Sequence, residues 1–243
     1  MKALVFAAGL GTRLKPLTDT MPKALVPVAG RPLLDHVLSK LRGSGFDDIT
    51  VNVHHFASMI RDYLASNDPG VHISDETDLL RETGGGILHA RPFLEGGPFL
   101  VHNVDILSNI DLPGFVSACR EDALATLVVS ERETSRYLLF NEELRLCGWT
   151  NIKTGEVRSP YPDLDPSKYR KLAFSGIHFL SGRIFDVFED ENCPERFPII
   201  DFYISVCGRY PIYGYVPEGL RMVDVGKLQT LSEALSFAEE YSL

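Results

Sequence analysis

The chain begins Met1-Lys2-Ala-Leu-Val-Phe-Ala-Ala8-Gly9-Leu10-Gly11-Thr12-Arg13. Residues 3–8 are apolar without a break, the pattern of a strand buried on both faces in a parallel sheet. Glycines start where the run stops. At the carboxyl end of such a strand they let backbone N–H groups approach a phosphate, and the Arg13 fork matches phosphate oxygens. A signal peptide does not fit, because Gly9 and the cations up to Lys15 interrupt the run too early.

The pattern downstream supports strand and helix in alternation. Pro32 precedes Leu33, Leu34, Val37, Leu38 and Leu41 at helical spacing, and Gly43 and Gly45 end that helix. Ile49, Val51 and Val53 alternate as a strand, 57–65 reads as a helix and 71–74 as a short strand. After Gly84-Gly85-Gly86, 87–93 reads as a short helix, and 99–104 is an apolar strand ending at Asp105. This order implies an α/β fold: right-handed crossovers, a Rossmann-like mainly parallel sheet with helices on both faces, and ligands at the carboxyl ends of its strands. The second half adds strands at 125–130, 137–140 and 144–149, the last two forming a small antiparallel hairpin region. A polar, proline-bearing surface excursion over 150–171 follows, then a strand at 172–180, helices at 183–189 and 199–206, and an amphipathic helix at 228–241. No repeat or boundary interrupts the order, so 1–243 is expected to form a single domain.

Composition narrows the ligand. The 243 residues carry 24 Lys and Arg against 33 Asp and Glu, a formal charge of −9. Nucleic acids are held mainly by cations neutralising phosphates, so this balance argues against a broad DNA or RNA face; a small phosphorylated ligand needs only a few local cations and N–H groups. No segment approaches the ~20 apolar residues of a membrane span. Cys119, Cys147, Cys193 and Cys207 are widely spaced with no C-x-x-C pair, so reduced thiols in a cytoplasmic protein are expected.

By itself Gly9-x-Gly11 is weak. A dinucleotide-binding fingerprint needs a third glycine where Leu14 stands, and a Walker A loop needs Gly-Lys-Ser/Thr, which is absent. The longer string is more specific: Leu4-Val-Phe-Ala-Ala8-Gly9-Leu-Gly11-Thr12-Arg13-Leu-Lys-Pro16-Leu17-Thr18, then Pro22-Lys23-Ala-Leu-Val-Pro27-Val-Ala-Gly30-Arg-Pro32-Leu33. It resembles the signature of the sugar-1-phosphate nucleotidyltransferases, also called nucleotide-diphosphosugar pyrophosphorylases. The resemblance covers nearly the whole chain. It implies the nucleotide-diphospho-sugar transferase fold and the condensation of a nucleoside triphosphate (NTP) with a sugar 1-phosphate, giving an NDP-sugar and pyrophosphate.

Farther along, Glu82-Thr83-Gly84-Gly85-Gly86-Ile87 corresponds to the family's glycine-rich lining of the nucleobase pocket. In this form it looks most like the uridylyltransferases that act on N-acetylmuramic acid 1-phosphate in cell-wall sugar metabolism. Phe99-Leu-Val-His-Asn103-Val-Asp105 and Met222-Val-Asp224-Val-Gly226 each run an apolar strand into a carboxylate. In the family these two positions hold Mg²⁺, a role the resemblance carries to Asp105 and Asp224. It also implies Ala8, Gly9, Gly11, Thr12, Arg13, Glu82, Thr83, Gly84 and Gly85 around the nucleotide, with Asn103 and Gly176 on the sugar-phosphate side. Arg13 is expected on the β- and γ-phosphates, and Lys23 where the α-phosphate meets the incoming phosphate.

One part of the pattern departs. Many relatives have a Glu-Lys pair at the end of the hairpin, serving sugar hydroxyls and sugar phosphate, where this chain reads Gly148-Trp-Thr-Asn-Ile-Lys153. Arg136 and Lys153 are the candidates for the missing phosphate contact. A uridylyltransferase for N-acetylmuramic acid 1-phosphate is the leading expectation, with a guanylyltransferase for mannose or heptose 1-phosphate second. A nucleotide-sugar-binding regulator without chemistry is the alternative from another class. The expected partners are an NTP, a sugar 1-phosphate and Mg²⁺, not nucleic acid or membrane, for a monomer or homodimer.

Overall fold

The computed structural model describes residues 1–241; Ser242 and Leu243, the end of the span expected to form one domain, lie outside the described residues. In chain order the strands are β1 (Lys2–Phe6), β2 (Pro27–Val28), β3 (Arg31–Pro32), β4 (Asp48–Val53), β5 (His72–Asp75), β6 (Phe99–Asn103) and β7 (Ile106–Ser108). Then come β8 (Ala125–Ser130), β9 (Arg136–Phe140), β10 (Leu146–Asn151), β11 (Glu156–Arg158), β12 (Arg170–Leu180), β13 (Ile212–Tyr215) and β14 (Met222–Asp224). The helices are α1 (Leu33–Gly43), α2 (Ala57–Asn67), α3 (Glu82–His89), α4 (Arg91–Leu94), α5 (Leu112–Ala118), α6 (Ile184–Asp190), α7 (Ile199–Val206) and α8 (Leu231–Glu240).

The main sheet runs β11-β10-β9-β12-β6-β1-β4-β5, with β8 on β12 and β13 on β8. Strands β6, β1, β4 and β5 are parallel, so the apolar run at the start of the chain is an inner strand of the parallel block. Because β4 lies on one side of β1 and β6 on the other, the carboxyl end of β1 is a point where the winding reverses, the place where open α/β sheets leave a crevice. The antiparallel part is larger than a hairpin, since β12 also pairs antiparallel with β6, β8 and β9.

Alternation along β1 sends its side chains to two cores. Ala3 and Val5 join Leu34, Leu38, Ile60 and Phe115 from α1, α2 and α5. Leu4 joins Ile87, Leu94, Phe185 and Phe188 from the helices of the other face. Each fully buried Leu or Phe contributes roughly 1.5–3 kcal/mol, so the sheet is clamped from both sides. A third cluster, including Leu14, Val26, Leu107, Val223 and Phe237, seats the long first loop and α8 against β7 and β14.

Some elements differ from the sequence expectation. Glycines 84–86 lie inside α3 instead of ahead of it. Residues 150–171 are not only a surface excursion: Thr150 and Asn151 complete β10, and β11 pairs with it at the sheet edge. Leu228–Thr230 is a 3-10 turn, and the final α-helix starts at Leu231. The short elements α5 and β13 carry too little periodicity to stand out in the sequence.

Candidate active site

A cavity of about 420 Å³ opens where β1 ends, lined by Ala7, Ala8 and Gly9, by Asn52 of the neighbouring β4 and by Glu76 directly after β5. Lys23, Asn103 and Asp105 complete one side; Leu80, Glu82 and Thr83 line another. The turn off β1 is held by Asn52, whose Oδ1 accepts the N–H groups of Ala7 at 2.7 Å and Ala8 at 3.2 Å. Its Nδ2 donates to Oε1 of the fully buried Glu76 at 2.8 Å, and the other Glu76 oxygen accepts the Arg81 N–H at 3.2 Å. A buried carboxylate is tolerable only with such partners. Sequence reasoning missed Asn52 and Glu76; the available signal was a polar residue near the end of an apolar strand and an acid directly after the next one.

Gly11 has φ +64°, a left-handed conformation suited to glycine, and a Cβ there would lie 2.9 Å from Thr18 Cγ2 and 3.2 Å from Lys23 Cβ. The Thr18 hydroxyl donates to the Gly11 carbonyl at 2.8 Å. The loop is therefore folded back on itself, and this brings Lys23 to the cavity wall. The Lys23 ammonium pairs with the Asp105 carboxylate, the two side chains being 12% and 17% exposed. Little water reaches this pair, so its field is screened less than that of a surface ion pair.

Asp224 comes from the far end of the chain. It closes β14, which pairs with β7 so that Asp224 stands opposite Ile106, and the Val225 N–H donates to the Asp105 carbonyl at 2.8 Å. Asp105 and Asp224 are thus neighbours across a ladder. Arg13 joins them from the first loop: a Cβ on Gly226 would lie 2.8 Å from Arg13 Nη2 and 2.6 Å from Asp224 Oδ1. Gly11, Thr12 and Arg13 do not line the 420 Å³ cavity itself; Arg13 sits against the 224–226 segment. Among the described residues no group of three or more His, Cys, Asp and Glu is arranged for a metal. Two carboxylates alone suit a hard cation that takes its other oxygens from phosphate and water.

The glycine-rich segment divides in two. Glu82, at φ +60°, and Thr83 line the cavity. Gly84 and Gly85 do not: both donate their N–H groups to the Phe197 carbonyl, at 2.8 and 3.2 Å. A Cβ on Gly84 would meet the Phe197 ring at 2.2 Å, and one on Gly85 the Glu195 carbonyl oxygen at 2.1 Å. These glycines let α3 press against the 195–197 segment. The Glu82 carboxylate accepts from Arg196, and the Thr83 hydroxyl accepts the Ile199 N–H at the start of α7.

On the other side Gly176, at φ +75°, abuts Asn103; a Cβ there would lie 2.9 Å from Asn103 Nδ2. Beyond it lies a second cavity of about 600 Å³, whose lining includes Arg132, Arg136, Trp149, Arg158 and Phe174. Arg136 and Lys153 were the candidates for a phosphate contact, and neither lines the first cavity. Arg136 is on the second, and Lys153 is exposed in the turn after β10. Other titratable groups are structural. The buried His178 shares a hydrogen bond with the Tyr203 hydroxyl and burial pushes its pKa down to about 3, while burial pushes the Cys207 thiol up to about 12.

Residues 2–240 match the family model described as Nucleotidyl transferase. The chain is 47% identical over 229 residues, 90% of each chain, to N-acetylmuramate alpha-1-phosphate uridylyltransferase of Caulobacter vibrioides. It is 46% identical over 242 residues, 98% of each chain, to the enzyme of that name from Neisseria meningitidis serogroup B. Its fold superposes on a UDP-glucose pyrophosphorylase from Acinetobacter baumanii with a TM-score of 0.77 at 18% identity, covering 98% of this chain and 92% of the other.

Proposed function

The chain belongs to the nucleotidyl transferase family, and we propose that it transfers the uridylyl group of UTP to N-acetylmuramic acid α-1-phosphate with release of pyrophosphate. The shared name of two relatives aligned over nearly all of both chains supports this choice of substrates. The observation that carries the chemistry is the Lys23–Asp105 pair on the cavity wall with Asp224 across the ladder.

In this reading an oxygen of the sugar phosphate attacks the α-phosphorus of UTP. A P–O bond forms there as the bond to the oxygen bridging toward the β-phosphorus breaks, and its electron pair leaves on pyrophosphate. A phosphate monoester has a second pKa of about 6, so the nucleophile is already mostly a dianion near neutral pH and no general base is needed. What the site must supply is position and charge. Lys23, a cation on the cavity wall, binds the α-phosphate and the incoming phosphate where two anions meet. Arg13, set against the 224–226 segment, binds the β- and γ-phosphates that depart.

Asp105 and Asp224 are the residues that would hold Mg²⁺, whose chemistry when bound is to neutralise charge between the two phosphates. Gly9, where an added Cβ would meet nothing within 4 Å, leaves room for a polyphosphate beside the wall. Leu80, Glu82 and Thr83 form the side for the base, and Asn103 with Gly176 the side for the sugar.

The test is a matrix of UTP, CTP, GTP and ATP against N-acetylmuramic acid, N-acetylglucosamine, mannose, glucose and heptose 1-phosphates, scored by pyrophosphate release with Mg²⁺ present. Release should be greatest for UTP with the N-acetylmuramic acid substrate. A maximum with GTP and mannose or heptose 1-phosphate replaces the substrate assignment, and silence in every pairing overturns the catalytic one.

A further inference from the structure

The floor of the second cavity is one face of the antiparallel sheet. Register places Arg136, Asn151 and Glu156 in one row and Leu138, Trp149 and Arg158 in the next. Residues directly opposite in such a ladder project side by side. The Arg158 guanidinium stacks over Trp149, 4.0 Å from the ring centroid, and pairs with Asp201 at 2.7 Å and Glu156 at 3.6 Å. Arg132 donates to the Phe174 carbonyl at 3.0 Å, and Arg136 makes no ion pair among the described residues. The lining therefore sets three guanidinium groups against two carboxylates, both of them engaged by Arg158. The lining is left with a net charge of 3 − 2 = +1, and Arg136 and Arg132 are its guanidinium groups without a carboxylate partner among the described residues.

Two chain segments link this cavity to the first. Phe174 lies two residues before Gly176, which abuts Asn103 of the first cavity. Pro198 precedes Ile199, whose N–H is held by Thr83 of the first cavity. A sugar whose phosphate lies at Lys23 would thus carry its ring substituents toward the arginines.

We propose that Arg136, with Arg132 in the same lining, binds a carboxylate borne by the acceptor sugar and so selects an acidic sugar 1-phosphate over neutral ones. The proposal rests on the reading of the acceptor as N-acetylmuramic acid 1-phosphate, whose lactyl ether ends in a carboxylate. The planar fork of arginine can hold both oxygens of that group, an arrangement an ammonium does not reproduce. Leu138 and Trp149 offer apolar surface to the rest of the ether. A neutral hexose 1-phosphate leaves the two guanidinium groups without their anion, so binding energy is withheld from it.

The experiment compares wild type, R136Q and R136K with UTP and either N-acetylmuramic acid 1-phosphate or its lactyl carboxamide, which keeps the shape and loses the charge. Wild type should favour the carboxylate in kcat/KM by at least about tenfold, the range of a charge-assisted hydrogen bond. R136Q should lose that preference, mostly through KM, while its rate on the carboxamide stays at the wild-type level; R136K should fall between. Arg136 is exposed, and the carboxamide rate reports that the variant is folded and active. No preference in wild type, or equal effects of R136Q on both acceptors, overturns the assignment and leaves uridylyl transfer standing. Wild type turning over neither acceptor overturns the uridylyltransferase reading and this assignment with it.

Discussion

Val225 donates its backbone N–H to the carbonyl oxygen of Asp105 at 2.8 Å, and that bond holds Asp224, at the end of β14, beside Asp105, which lies 119 positions earlier in the turn between β6 and β7. If both hold one cation, neither can be spared. D224N should cut turnover about 100-fold or more, and it should leave the melting temperature unchanged because Asp224 is exposed. Chelation of divalent metal should abolish pyrophosphate release, and added Mg²⁺ should restore it. Full activity in chelator, or in D224N, would remove the metal assignment.

K23M separates charge from fold. Its loss should lower turnover by roughly 10²–10³-fold, as for removal of a group that stabilises charge in the transition state. The effect should be larger on kcat than on the KM for UTP, since in this account Lys23 binds the α-phosphate most tightly as the two phosphates meet. Steady-state kinetics with circular dichroism on the same sample checks this; near-normal kcat would contradict it.

Two glycines should respond in opposite ways to alanine. In G85A the new Cβ is driven against the Glu195 backbone carbonyl, which cannot rotate away. Overpacking of this kind costs about 1–3 kcal/mol, so the melting temperature should drop by several degrees. G9A meets nothing within 4 Å, so it should melt like wild type and show its effect in the KM for UTP. Calorimetry and initial rates on both variants distinguish packing from phosphate access, and an unchanged melting temperature in G85A would contradict the packing role.

His178 gives the fold an acid limit. Its pKa falls from 6.5 to about 3 because burial penalises the charged ring. Below pH 6.5 the unfolded chain takes up a proton that the folded chain refuses until about pH 3, so stability is lost as pH falls through that window. Between pH 7 and 5 the loss from this group should be roughly 2 kcal/mol. Urea midpoints of wild type and H178Q at the two pH values should show a smaller pH effect in H178Q; identical pH effects would contradict the buried-histidine account.

The parallel block was legible because burial on both faces demands apolar runs, unbroken over residues 3–8 and continuous over 99–101 before His102 and Asn103. The meeting of Asp105 and Asp224 was not legible from local pattern, since β7 and β14 are joined only by long-range pairing; the family resemblance supplied it. Glycines 84–86 were placed ahead of a helix because glycine is a poor helix former. Their reason is tertiary: the 195–197 segment needs the space a side chain would fill. Asn52 and Glu76 escaped notice for a related cause, because a lone polar residue near a strand end declares no role until its partners are placed. Arg136 reads in the sequence only as a cation near the hairpin, and the sheet register sets it in one row with Asn151 and Glu156 in the lining of the second cavity.

The most direct measurement follows the α-phosphorus. The purified chain is incubated with Mg²⁺, N-acetylmuramic acid 1-phosphate and UTP labelled at the α-phosphate, and products are separated by chromatography. The account predicts label in UDP-N-acetylmuramic acid, one pyrophosphate per sugar nucleotide formed, and both products formed about 100-fold or more slowly in D224N. Label remaining in UTP, or pyrophosphate released without a labelled sugar nucleotide, would contradict it.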